Sequence, residues 1–154
     1  MTRINTIDPE HLTDQHLMAE YRELPMVNAA LSRSLSSKSG VDRTSLPTKY
    51  TLNRGHVMFF YDKGSWLYDR YMSLISCLRD RNYQIDPESR VVKWDHFRDN
   101  GLFNSWEPDD AAHAINVERL LERVAAKTTW YRLMGTPIDE SYLVFLKTTY
   151  GVNK

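Results

Sequence analysis

In this 154-residue chain, three groups of side chains have types and spacings that could do chemistry. The first is His16, Glu20 and Glu23, at i, i+4 and i+7; on a helix they share one face. Three readings fit that spacing. It is a solvated acidic edge, a set of metal ligands, or a place where Glu23, held at a kinked and partly buried turn, serves as general acid or base. No second ligand cluster at suitable spacing accompanies it, so neither a metal nor another cofactor is expected. The second is Thr2. Removal of Met1 ahead of so small a residue would leave a free α-amine with a pKa of about 7.7–8.0, nucleophilic near neutrality where lysine, at about 10.4, is not.

The third group is Arg119, Arg123 and Lys127 at i, i+4 and i+8, with Glu118 and Glu122 on the other side of the exposed surface. Like charges four apart destabilise a helix by roughly 0.2–0.5 kcal/mol per pair. Such a stripe gains from a polyanion that neutralises it. Trp130, Tyr131 and Arg132 follow, and cations beside aromatics suit phosphate contact with base stacking. The competing reading is a surface helix packed through Trp130, with Arg119 bonded to Glu122.

These groups need elements to hold them. Asp8-Pro9-Glu10 and Thr13-Asp14 read as helix starts. From Asp14 the apolar residues Leu17, Tyr21, Leu24, Leu31 and Leu35 keep a helical period, which Pro25 interrupts and should kink. A second helix is expected from about 62 to 81, with Leu67, Tyr71, Leu74, Ile75 and Leu78 on one face, and a third from Pro108 to about Lys127, with Val117, Leu120, Leu121 and Val124. Residues 50–61 are β-prone, but Gly55 argues against a long strand. Residues 82–106 read as mostly irregular. The expected fold is all-α: three principal helices wrapped by long loops, in one domain.

Composition sets bounds. Cys77 is the only cysteine, so no internal disulfide forms; a reducing, cytoplasmic setting is expected, with no signal peptide and no membrane span. Twenty Lys and Arg balance twenty Asp and Glu. A neutral total argues against nucleic acid as a partner unless a basic face is concentrated locally.

A family likeness lies in the same residues. The opening Met1-Thr2-Arg3-Ile4-Asn5, the run from Asp14 through Tyr21-Arg22-Glu23-Leu24-Pro25, then Gly55-His56-Val57 with Phe59-Phe60-Tyr61-Asp62-Lys63, and Thr129-Trp130-Tyr131 closing at Gly135 resemble the pyrimidine-dimer DNA glycosylases, the phage endonuclease V family. The likeness covers roughly residues 1–135 and leaves 136–154 as an extension. It implies that the Thr2 amine attacks the sugar of a damaged nucleotide through an imine. Glu23 is then implied in base loss and in the β-elimination that breaks the strand, without a cofactor. Arg3 and Arg22 are implied on phosphates, Gln15 and His16 in the same pocket, and Tyr21 and Pro25 around an extruded base. Arg119 and Arg123 correspond to the family's basic pair, which with Lys127, Trp130 and Tyr131 completes the expected DNA surface.

The expected partner is duplex DNA with a damaged base, bound by a monomer in a bacterial or phage-infected cell, on the nucleoid. The chain departs from the family pattern at Met26, which replaces a basic residue, at Leu133 and Met134, where the phage enzyme is aromatic, and in its neutral charge. Two alternatives stand beside a pyrimidine-dimer substrate: another modified base on the same scaffold, or a damage-binding module without catalysis.

Overall fold

The computed structural model of the protein describes residues 3–127 and 129–151; Thr2, the expected nucleophile, lies outside them. The chain is mainly helical. Helix α1 spans Asp14–Glu23, and α2 spans Pro25–Ser36. A short α3, His56–Phe59, precedes the long α4, Gly64–Asp80, and the short α5, Asp95–Asp99. After α6, Asp110–Ala126, a two-stranded antiparallel hairpin (β1 Arg132–Leu133, β2 Thr136–Pro137) leads into α7, Glu140–Thr149.

The expected kink is a division. Pro25 has no N–H to donate, and its ring crowds the carbonyl four residues back, so α1 ends at Glu23 and α2 starts at Pro25 with Leu24 between them. The Tyr21 carbonyl, which an amide at position 25 would have met, accepts from Arg90 at 2.9 Å, and Arg90 also donates to Arg22 O at 3.2 Å. Glu23 is thus the last residue of α1 rather than part of a continuous helix.

The apolar stripes pack as their periodicity predicts. Leu17, Tyr21, Leu24 and Leu31 are buried against Leu67, Tyr71, Leu74 and Leu78 of α4 and Val117 and Leu120 of α6. Gly64 lets α4 start hard against α5: a Cβ there would stand 2.6 Å from the Phe97 ring. The β-prone stretch forms turns around the four-residue helix α3 instead. Its aromatic residues Tyr50, Phe59 and Phe60 meet Trp66 and Trp106 in a largely edge-to-face cluster, so their burial rather than strand propensity decides the backbone. Residues 82–106 are irregular apart from a 3₁₀ turn and α5.

Residues 136–151 pack on the rest of the fold. Leu146 of α7 is fully buried. Tyr142 donates its hydroxyl to His11 O at 2.6 Å, and the Tyr150 hydroxyl accepts the Asp8 N–H at 3.0 Å and pairs with His11 Nδ1 at 2.7 Å. Helix α7 thus clamps the turn at residues 8–12, which joins the N-terminal segment to α1. Leu146→Ala should destabilise the whole chain by roughly 2–5 kcal/mol, as removal of a core leucine does. Chemical denaturation measures it; a change below about 0.5 kcal/mol, the usual range of surface substitutions, would show α7 to be an appendage.

Candidate active site

Residues 3–7 belong to neither helix nor strand, yet Ile4, Asn5, Thr6 and Ile7 are buried. A buried backbone without a ladder needs other partners for its polar groups, and side chains from four helices and a loop supply them. The Arg3 N–H donates to Glu23 Oε1 at 3.0 Å, and the Ile4 N–H to His56 Nε2 at 2.7 Å. The Tyr50 hydroxyl, with one proton for two acceptors, lies 2.6 Å from Ile4 O and 2.9 Å from Asn116 Oδ1. Asn116 also donates to Thr6 Oγ1 at 2.8 Å. Arg70 reaches Ile7 O at 2.6 Å while gripping both oxygens of Glu20, at 2.6 and 3.0 Å. Glu20 further accepts from the Asn5 backbone. Burial pushes the Glu20 carboxyl up, and the bidentate guanidinium pulls it back.

Glu20 is thereby committed to structure. This removes one of the candidate metal ligands on α1, and among the described residues no group of three or more His, Cys, Asp or Glu is placed to hold a metal ion. Glu23, half-buried, faces a different company. Together with Arg3, His16, Arg119 and Arg123 it lines a cleft of about 270 Å³, completed by Asn5, Ala19, Glu20, Asn116 and Leu120. Burial, with the like charges of Arg123 and Arg119, lowers the pKa of Arg3. The cleft gathers three guanidiniums, those of Arg3, Arg119 and Arg123, near the Glu23 carboxylate, a setting that favours an anionic ligand. Arg119 does meet Glu122, as the competing reading of α6 required, but at 3.6 Å and with Glu122 largely exposed. Such a contact contributes little and yields readily to a phosphate.

His16 stacks flat on Tyr131, with centroids 4.6 Å apart and planes 5° from parallel, and pairs with Thr13 Oγ1 at 2.7 Å. Burial first, then Arg3 and Arg123, push its pKa down to about 4, so the ring in the cleft is neutral at ordinary pH. Arg22, Lys127, Trp130 and Tyr131, also expected on DNA, do not line the cleft. Lys127 lies over the half-exposed Trp130 ring at 4.7 Å, so the cationic stripe of α6 divides, two arginines to the cleft and the lysine to the aromatic. Arg22 is exposed on the rim of α1.

Three expected pocket residues sit elsewhere. Gln15 donates to Trp130 O at 2.6 Å and accepts the Arg132 N–H at 3.0 Å, which holds the start of the hairpin on α1. Tyr21 is in the core, stacked on Tyr71 with Arg90 over its ring. Pro25 lines a separate recess of about 190 Å³ with Asn28 and His96.

Asn5, Asn116, Tyr50 and the positioning role of His56 were not singled out from the sequence. Asn116 alone left a trace there: it is a polar residue four before Leu120 on the apolar face of α6. Residues 1–91 match the family model described as pyrimidine dimer DNA glycosylase.

The two buried imidazoles make stability depend on pH. His56, like His16, is pushed down to about 4 from an ordinary 6.5, by burial and by Arg3 against the opposing pull of its bond to Thr51. Between those values the unfolded chain binds protons that the folded chain excludes. Stability therefore rises with pH from about 4 to 6.5 and levels off above. Urea melts across that window should show the slope, and His16→Asn and His56→Gln should each flatten it. An unaltered slope in both variants would contradict the assignment.

Proposed function

The chain belongs to the pyrimidine dimer DNA glycosylase family, and on that premise we propose that it couples base excision to cleavage of the resulting abasic site, with the α-amine of Thr2 as nucleophile and Glu23 as the acid and base. The observation that carries this reading is the hydrogen bond from the Arg3 N–H to Glu23 Oε1. The amide that Glu23 accepts is the one bonded directly to Thr2, in a cleft where Arg3, Arg119 and Arg123 can take phosphates.

The steps balance with water as the one further reactant. The amine nitrogen bonds to the anomeric carbon as the bond from that carbon to the base breaks. The base leaves with the electron pair and gains a proton. The sugar ring opens, its oxygen gains a proton, and the nitrogen loses its own to form the imine. The imine acidifies the neighbouring sugar carbon; the Glu23 carboxylate takes a proton there, and the electrons released expel the 3′ phosphate oxygen. Hydrolysis of the imine returns the amine. Guanidiniums around the cleft stabilise the phosphates throughout, and the neutral His16 adds no competing charge. Extruding a base costs a few kcal/mol, least at a lesion that stacks poorly. The recess beside Pro25 suits that base: the buried Asn28 Oδ1 and His96 Nε2 on its wall have no hydrogen-bond partner among the described residues. No helix among those residues is long and apolar enough to cross a membrane.

Borohydride should trap a covalent adduct with duplex carrying a cyclobutane pyrimidine dimer, and trapping should disappear when the N-terminus is acetylated. Glu23→Gln should bind the same duplex while strand scission falls by roughly 10²–10⁴-fold. Undiminished scission by N-blocked protein would refute the scheme. Arg119→Ala and Arg123→Ala should each weaken binding and reduce the slope of log affinity against log salt by about 0.9. Titrations at several salt concentrations measure it; an unchanged slope in both would place these side chains off the DNA.

A further inference from the structure

We propose that His56 is the positioning residue that fixes the Arg3–Ile4 segment beside Glu23, acting through the Ile4 amide and never touching DNA. The inference rests on the reading of Thr2 and Glu23 above and adds a residue to it.

Two successive amides are gripped from different elements. Arg3 is bonded to Glu23 at the end of α1, and Ile4 to His56 at the start of α3. Holding one of them would leave the segment able to pivot about that bond. Holding both fixes the two peptide planes that flank the Arg3 α-carbon beside Glu23. The Tyr50 hydroxyl beside Ile4 O adds a third restraint on the same residue.

The imidazole is suited to this because its tautomer is dictated. The Thr51 carbonyl can only accept, so the 2.7 Å contact from His56 Nδ1 assigns the ring proton to Nδ1. Nε2 is then a lone-pair acceptor, as the Ile4 N–H requires. A ring protonated on Nε2 would oppose that N–H with its own. The ring is also locked in place: it is 4 % exposed, and Tyr50 and Phe60 meet it edge-on at 5.5 and 5.4 Å. Gly55, at φ +94°, makes the turn from which α3 starts at His56, a conformation other residues adopt only with strain. Burial, which pushes the imidazole down to about 4, keeps it neutral wherever the amine of Thr2 is reactive.

Catalysis that depends on bonding distance is sensitive to such restraints, and a displacement of about 1 Å can cost on the order of 10²-fold in rate. The test compares two substitutions. His56→Asn retains a donor near Nδ1 and lacks an acceptor at the Nε2 position, whereas the carbonyl of His56→Gln reaches that position. With dimer-containing duplex, the single-turnover rate of borohydride-trappable adduct formation should fall about 10²-fold in His56→Asn, while its affinity for that duplex stays within about threefold. His56→Gln should recover most of the rate. Equal rates for wild type and His56→Asn, or a loss in which affinity falls in step with rate, would overturn the inference.

A second measurement needs no variant and so does not depend on either one folding. Imidazole nitrogen NMR shifts of the wild type at neutral pH should report a proton on Nδ1 and an acceptor at Nε2 coupled to the Ile4 amide; a proton on Nε2 overturns the proposal. Wild-type protein that forms no trapped adduct refutes the proposed function and this inference with it. Trapping by wild type at a rate His56→Asn matches refutes this inference alone.

Discussion

The fold is organised around a backbone segment that is buried without belonging to a sheet or helix. Residues 3–7 run among α1, α4 and α6 with their peptide groups away from water, and an unpaired buried amide costs about 1–3 kcal/mol. Polar side chains from several elements answer that demand: Glu23, His56, Tyr50, Glu20 and Arg70 each take a backbone atom of this segment. The Glu20–Arg70 pair is the deepest of these. Removing either partner would strand a buried charge and one backbone group of the segment, Ile7 O without Arg70 or the Asn5 N–H without Glu20. A segment held at so many points is rigid.

That arrangement also divides labour between two carboxylates one turn apart on the same helix. Glu20 is neutralised by a buried guanidinium, while Glu23, three residues on, stands among arginines that line an open cleft. A zero net charge is no obstacle to an anionic ligand on such a surface. The positive groups are concentrated where three separate parts of the chain converge, and acids such as Asp14 are consumed internally. Asp14 pairs with Arg81 and accepts the Met134 and Gly135 amides of the hairpin turn. With the two amide bonds of Gln15 and the stack of His16 on Tyr131, three consecutive residues of α1 hold the segment that displays Trp130.

Much of this was legible in the residues. The periods of Leu17-Tyr21-Leu24, of Leu67-Tyr71-Leu74-Leu78 and of Val117-Leu120-Val124 announced the packed faces, and Thr13 the cap that starts α1. Pro25 announced the break beside Glu23. Other features were not legible because they depend on partners distant in sequence. Tyr21 and Gln15 sit in the same motif as Glu23, yet one is stacked on Tyr71 and the other bonded to the hairpin backbone. The aromatic run at 59–61 carried a strand signal that burial among Trp66 and Trp106 overrode. The apolar residues of 136–151 gave no hint of their seat until Leu146 and Tyr142 were seen against the turn at 8–12.

The order of residues alone determined the helices, the break at Pro25 and the chemical types available: an N-terminal amine after a small residue, a helical acid and a basic stripe. These are properties of local spacing, since helical periodicity and proline stereochemistry act over a few residues. Only the tertiary structure decided which acid faces the cleft, which arginines join it and which imidazole holds the entering chain. Those choices are made by burial and by hydrogen bonds spanning 20, 50 and 52 positions, distances over which no local pattern carries information.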